Sequence, residues 1–210
     1  MTQVAELLPD NPDVHHQLAV AHHNEGRCEL AADHLQKVVE LAPDRVDPRV
    51  MLASIYLDQQ RAPDALPLLR RALELAPDDP DAPWLLGRAQ VLLGDLQAGI
   101  QTFEKAREMR PTSAVPAWAH NEWGNALAQS GRLYGALEHF EASLASEPDN
   151  AQTLFFLGLA HEARCGERGW PVSAYGRARC RTGVWQGHVV HHRQRPGVRD
   201  FPHRPHRLQW

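Results

Sequence analysis

Along most of the chain, apolar residues recur at spacings of three and four, the signature of amphipathic helices. Proline and glycine interrupt this pattern in phase. Pro9, Pro43, Pro77 and Pro111 are 34 residues apart, and Pro148 follows after a step of 37. The words before these prolines match: VAELLP, VVELAP, ALELAP, AREMRP and SLASEP. Each interval holds two helical patterns. The first of each pair is predicted over about 13–25, 47–60, 81–93, 115–130 and 150–163, and the second over about 29–41, 63–75, 97–109 and 133–146. Gly26, Gly94 and Gly131 lie between the halves, where a residue of positive φ ends a helix. The proline just past each second helix cannot continue it, and the Asp or Asn that follows can cap the next one. No stretch shows the alternation of a strand.

Small residues hold two places in the period. Ala19, Ala53, Gly87, Gly124 and Gly158 lie midway along the first helices. Ala31, Ala65, Gly99 and Ala136 lie early in the second, each followed four residues later by a larger one: Leu35, Leu69, Phe103 and Phe140. A small residue facing a large one lets two antiparallel helices approach closely. One such hairpin cannot bury both of its apolar faces, but stacked copies can, so an all-α solenoid is expected.

The period, the pairs Leu86-Gly87, Trp123-Gly124 and Leu157-Gly158, the small–large spacing and the closing proline resemble the tetratricopeptide repeat, over about residues 1–164. The resemblance implies a right-handed superhelix of antiparallel helix pairs whose concave face binds a peptide or another protein. Its departures are local. The aromatic late in the first helix is present only as Tyr56, and the three extra residues lie near 112–116. Four full repeats over 12–164 are expected. Residues 1–11 read as the end of a partial repeat or a short cap.

Charge changes abruptly at the end of this region. Residues 1–164 carry 13 Lys+Arg and 24 Asp+Glu, whereas 165–210 carry nine arginines and two acids. Residues 165–182 read as a degenerate last helix. Residues 183–210, rich in Arg, Gly, Pro, Trp and His, offer few aliphatic residues for a core and are expected to be poorly ordered. Two readings of that text stand open: a genuine basic tail, and a GC-rich gene translated out of frame. The three cysteines (Cys28, Cys165 and Cys180) are scattered, the pattern of free thiols in a reducing, cytoplasmic compartment. No apolar run approaches the roughly 20 residues of a membrane helix. The Ala/Leu/Arg-rich repeats have a bacterial flavour.

Candidate binding residues follow from the phase of the first helices. Trp84, Arg88, Trp118, Asn121, Asn125 and Phe155 should converge on the inner surface. The aromatics would act as anchors, the two amides, one turn apart, would grip a bound backbone, and Arg88 would meet a carboxylate. Asp47, Asp58 and Asp81 rim the same side, so a basic or neutral ligand is expected over an acidic one. Nucleic acid is disfavoured, because phosphate meets an acidic repeat domain. The inner places used elsewhere in the family to clamp a carboxyl terminus hold His16, Val20, Met51, Asp81 and Leu85, with no lysine nearby. The pairs His15-His16 and His22-His23 lie too far apart along a helix to share one ion, and no cofactor or metal is expected. No glycine-rich nucleotide loop, serine elbow or catalytic cysteine signature occurs. The function expected is a non-catalytic protein-interaction scaffold. The alternative is the targeting or substrate-recognition region of a longer enzyme. Truncation after Gly183 should leave the thermal transition nearly intact, and truncation after Arg164 should lower it; melting followed by circular dichroism checks both.

Overall fold

A computed structural model describes residues 10–167. Among these residues nine α-helices follow one another: α1 (Pro12–Asn24), α2 (Cys28–Leu41), α3 (Asp47–Asp58), α4 (Ala62–Leu75), α5 (Ala82–Leu92), α6 (Leu96–Met109), α7 (Ala117–Gln129), α8 (Leu133–Ser146) and α9 (Ala151–Glu167). No strand occurs among the described residues. The boundaries fall within about two residues of those the periodicity predicts, except that α9 continues to Glu167. The expectations for 1–9 and 168–210 lie outside the described residues.

Each hairpin closes through the same three-residue turn. In the first, the Arg27 amide donates to the His22 carbonyl at 2.8 Å and the Gly26 amide to the His23 carbonyl at 2.9 Å. The pattern recurs at Gln60–Arg61, Gly94–Asp95 and Gly131–Arg132. It requires a left-handed residue in the middle, and φ is +74°, +85° and +80° at Gly26, Gly94 and Gly131. The second repeat departs from this composition: Gln60 takes the position with φ +60°, at a cost of about 1–2 kcal/mol for a side chain there. At the opposite ends, side chains after the prolines cap the next helix. Asn11 Oδ1 accepts from the amides of Asp13 and Val14, Asp79 Oδ1 from Ala82, and Asn150 Oδ1 from Thr153. The three extra residues fall in the connection 110–116, between α6 and α7.

The small–large pairs are the seams of the hairpins. Ala19, Ala31, Ala53, Ala65 and Ala136 are completely buried, as are Leu35, Leu69, Phe103 and Phe140. A Cβ placed on Gly87 would lie 2.7 Å from the Phe103 ring, and one on Gly124 would lie 2.7 Å from the Phe140 ring. Two apolar clusters result. One runs through Leu35, Ile55, Leu57 and Leu69, the other through Ile100, Phe103, Trp123 and Phe140. Trp118 packs against both. Each helix also packs on the next, and the first helices α3, α5, α7 and α9 touch one another in succession, forming one continuous wall. Gly124→Leu is expected to lower stability by about 1–3 kcal/mol or more, because Phe140 is enclosed and has no space to retreat into. An unchanged melting temperature would show that α7 and α8 are not in close contact at this point.

Candidate functional site

The wall of first helices encloses an open cavity of about 810 Å³. Its lining comes from α1 (His16), α3 (Asp47, Val50, Met51, Ser54, Asp58), α5 (Leu85, Arg88), α7 (Trp118, Asn121, Glu122) and α9 (Gln152). The connections before α5 and α9 add Asp79, Pro80, Asp81 and Asn150. No second helix contributes. This division follows from the repeat: the second helices spend their apolar faces on both neighbours, which leaves the first helices to turn one side inward.

An ion bridge spans the cavity. Arg88 Nη1 on α5 donates to Asp58 Oδ1 on α3 at 2.8 Å, and its Nε lies 3.5 Å from Glu122 Oε1 on α7. Three successive repeats are thereby tied through one guanidinium. Arg88 and Glu122 are largely buried, while Asp58 is exposed. Burial raises the Glu122 carboxyl above the ordinary carboxylate range; Arg88 pulls it down and Asp58 pushes it up again. Among the described residues, the lining holds five carboxylates, Asp47, Asp58, Asp79, Asp81 and Glu122, against the single guanidinium of Arg88.

Of the six residues the sequence singles out, Arg88, Trp118 and Asn121 line this cavity. Asn121 is only 5% exposed, and its Oδ1 is enclosed without a hydrogen-bond donor. Trp84 lies elsewhere. It is 5% exposed, and its ring stacks on Phe103 with centroids 6.3 Å apart. The reason is register. Trp84 stands three residues before Gly87, whereas Trp118 stands six before Gly124, nearly a full turn away. Trp84 is thus the counterpart of Asn121, and Asp81 that of Trp118. Asn125 is half-buried on α7, where its Oδ1 accepts from Gln129 Nε2 at 3.1 Å. Phe155 is 57% exposed on α9, outside the cavity, beside Phe156. Arg88 is already held by two carboxylates of its own chain, so it is not the open carboxylate receptor its position suggests. Glu122, Asn150 and Gln152 are additional lining residues. Glu122 was accessible from the phase, since it falls in register with Met51 and Leu85.

Two histidine pairs occupy equivalent places in the first and fourth repeats. His15 Nδ1 lies 3.0 Å from His34 Nδ1, joining α1 to α2, and His120 Nδ1 lies 2.9 Å from His139 Nδ1, joining α7 to α8. One ring of each pair must donate and the other accept, so at least one is neutral. The His139 ring also stacks on Trp123 at 4.0 Å. Burial, then His120, then Arg107 lower its pKa to about 4. Burial also lowers His120, assisted by Arg107, and lowers His34, assisted by His15, His22 and Lys37. Among the described residues, no group of three His, Cys, Asp or Glu is placed to hold a metal, and no helix is long and apolar enough to cross a membrane.

The fold and its inner wall define a helical-repeat interaction scaffold. A family model for the tetratricopeptide repeat matches residues 50–114 and 121–165, and a second of the same description matches 12–45. The chain belongs to the tetratricopeptide repeat family. The unmatched residues between the two segments, 115–120, cover the end of the connection between α6 and α7 and the start of α7. No curated protein matches the chain. Solved structures do. The MamA protein of Desulfovibrio magneticus is 25% identical, covering 70% of this chain and 81% of its own, with a TM-score of 0.59. YrrB, described as a TPR protein with an unusual peptide-binding site, is 18% identical over 85% of this chain and 89% of its own, also at 0.59. A thermophilic TPR protein of Thermus thermophilus is 17% identical over 76% of this chain and 86% of its own, at 0.58.

The histidines give this fold an acid limit. His34, His120 and His139 have folded pKa values below their ordinary 6.5. The unfolded chain therefore binds more protons than the folded one below that value, and stability falls as pH drops from about 6.5 towards 4. The melting temperature should decline across this window, and His139→Gln should flatten the decline. A wild-type slope in that variant would show that His139 does not contribute to it.

Proposed function

We propose that the protein is a non-catalytic scaffold that holds a peptide or an extended segment of another protein along the concave face made by its first helices. The observation carrying this reading is the cavity of about 810 Å³, lined by five consecutive first helices and, among the described residues, by none of the second. Polar groups on α7 suit a backbone: Asn121 lines the cavity and Asn125, outside the lining, stands one turn further along, and amides can donate to a carbonyl and accept from an N–H at once. Trp118 supplies apolar area beside them. Arg88 lies between carboxylates of α3 and α7, Trp84 packs on Phe103 in the core, and Phe155 is an exposed aromatic on α9. Five carboxylates against one guanidinium favour a basic or neutral ligand and oppose phosphate. The scattered cysteines suit a cytoplasmic setting.

The full chain, used as bait, captures the ligand, and the double change Asn121→Ala with Asn125→Ala tests the surface. Both amides are expected to contribute, and their joint removal should weaken binding by about 1–3 kcal/mol, because partner groups are left unpaired. Calorimetry against the captured peptide measures this. Wild-type affinity, with the melting curve unchanged, would place the binding surface on the convex side or at the ends of the stack.

A further inference from the structure

The groove's charges are not equally engaged. Of its five carboxylates, Asp58 and Glu122 face Arg88. Asp79 accepts the backbone amides of Asp81 and Ala82. Asp47 and Asp81 have neither an ion pair nor a side-chain hydrogen bond within the described residues. These two occupy the same place in successive repeats, six residues before Ala53 and Gly87. The corresponding place in the next repeat, six before Gly124, holds Trp118. One row of the wall thus reads carboxylate, carboxylate, indole, and all three side chains line the one cavity. One turn beyond Trp118 stands Asn121, nine-tenths buried, with its enclosed Oδ1 lacking a donor.

Position at a helix start accounts for part of this. Asp47 opens α3 and Asp81 precedes α5, where the helix dipole favours an anion. The dipole does not require that both converge on a cavity whose third row position is an indole, nor that a buried amide oxygen there go unpaired. Unpaired negative charge, an aromatic face and an unmet acceptor share one complement: a planar cation rich in N–H donors.

Building on the concave-face reading above, we infer that the groove contains a subsite for a ligand arginine, formed by Asp47, Asp81, Trp118 and Asn121. The guanidinium stacks on the Trp118 indole and donates to the carboxylates. Lysine fits less well, because a compact ammonium neither stacks nor forks between two acceptors. Trp118 is then a platform for a cation and not only an apolar anchor. Arg88, held by Asp58 and Glu122, shows that this wall accepts a guanidinium between carboxylates of the repeats on either side of it.

The test uses the full chain and two small probes, Nα-acetyl-arginine amide and its neutral isostere Nα-acetyl-citrulline amide. Nitrogen–proton correlation spectra follow the Trp118 indole N–H and the Asn121 side-chain amide during titration. The arginine probe should shift both signals saturably, and the citrulline probe should bind about tenfold more weakly. Asp47→Asn with Asp81→Asn should remove most of that difference. Both positions are exposed, so the fold should survive, and an unchanged circular dichroism melt verifies this. Equal binding of the two probes, no saturable shift at Trp118, or an undiminished preference in the double variant would overturn the subsite. The outcomes separate from those of the scaffold reading. A captured polypeptide that depends on Asn121 and Asn125, yet is indifferent to Asp47→Asn with Asp81→Asn, leaves the scaffold standing and removes the arginine subsite. Arginine-probe binding with no dependence of any captured polypeptide on Asn121 and Asn125 does the reverse.

Discussion

Everything in this molecule rests on how closely the two helices of a hairpin can approach. Where Gly87 meets Phe103 and Gly124 meets Phe140, the space that a single methyl group would need is already taken. The large ring of the second helix fills the gap left by the small residue of the first, and the ring is fully buried. Leu35 and Leu69 perform the same task against alanines in the earlier repeats. The chain uses aromatics with glycines in the later repeats and aliphatics with alanines in the earlier ones, conserving the filled volume while trading the size of its two halves.

That economy frees the inner wall for polar chemistry. Asp58, Arg88 and Glu122 come from three different repeats and form one bridge, so the groove's electrostatics also link neighbouring repeats. Such a bridge restrains the relative position of α3, α5 and α7, the three helices that contribute most of the lining. The shape of the groove and the charge within it are therefore coupled. The histidine pairs act at right angles to this, within hairpins, where they join α1 to α2 and α7 to α8. Their nitrogens lie in hydrogen-bond contact only while at least one ring stays neutral.

Much of this was legible in the sequence. Phased prolines, glycines and small–large pairs specify helix boundaries and hairpin seams, because each depends on a local rule: a missing amide hydrogen, a left-handed φ, a volume that must fit. Even so, the local rules had exceptions. Gln60 adopts the turn conformation that glycine takes in the other three hairpins, since the same two backbone hydrogen bonds hold it there. Arg88, Trp118 and Asn121 line the cavity, because distance from the small residue sets the face of a helix.

The order of elements, their boundaries and their capping were thus determined by the sequence alone, through periodicity and local sterics. Tertiary structure decided what those faces do. Trp84 and Trp118 look alike as text, 34 residues apart, yet one is buried against Phe103 while the other lines the cavity. The insertion between α6 and α7 makes that period 37 residues, so Trp118 falls six residues before its glycine where Trp84 falls three before its own. Arg88 reads as a free receptor for a carboxylate until Asp58 and Glu122, 30 residues before it and 34 after, are brought to its side. Partnership between residues so far apart is set by the stacking of whole repeats, a distance that no local pattern encodes.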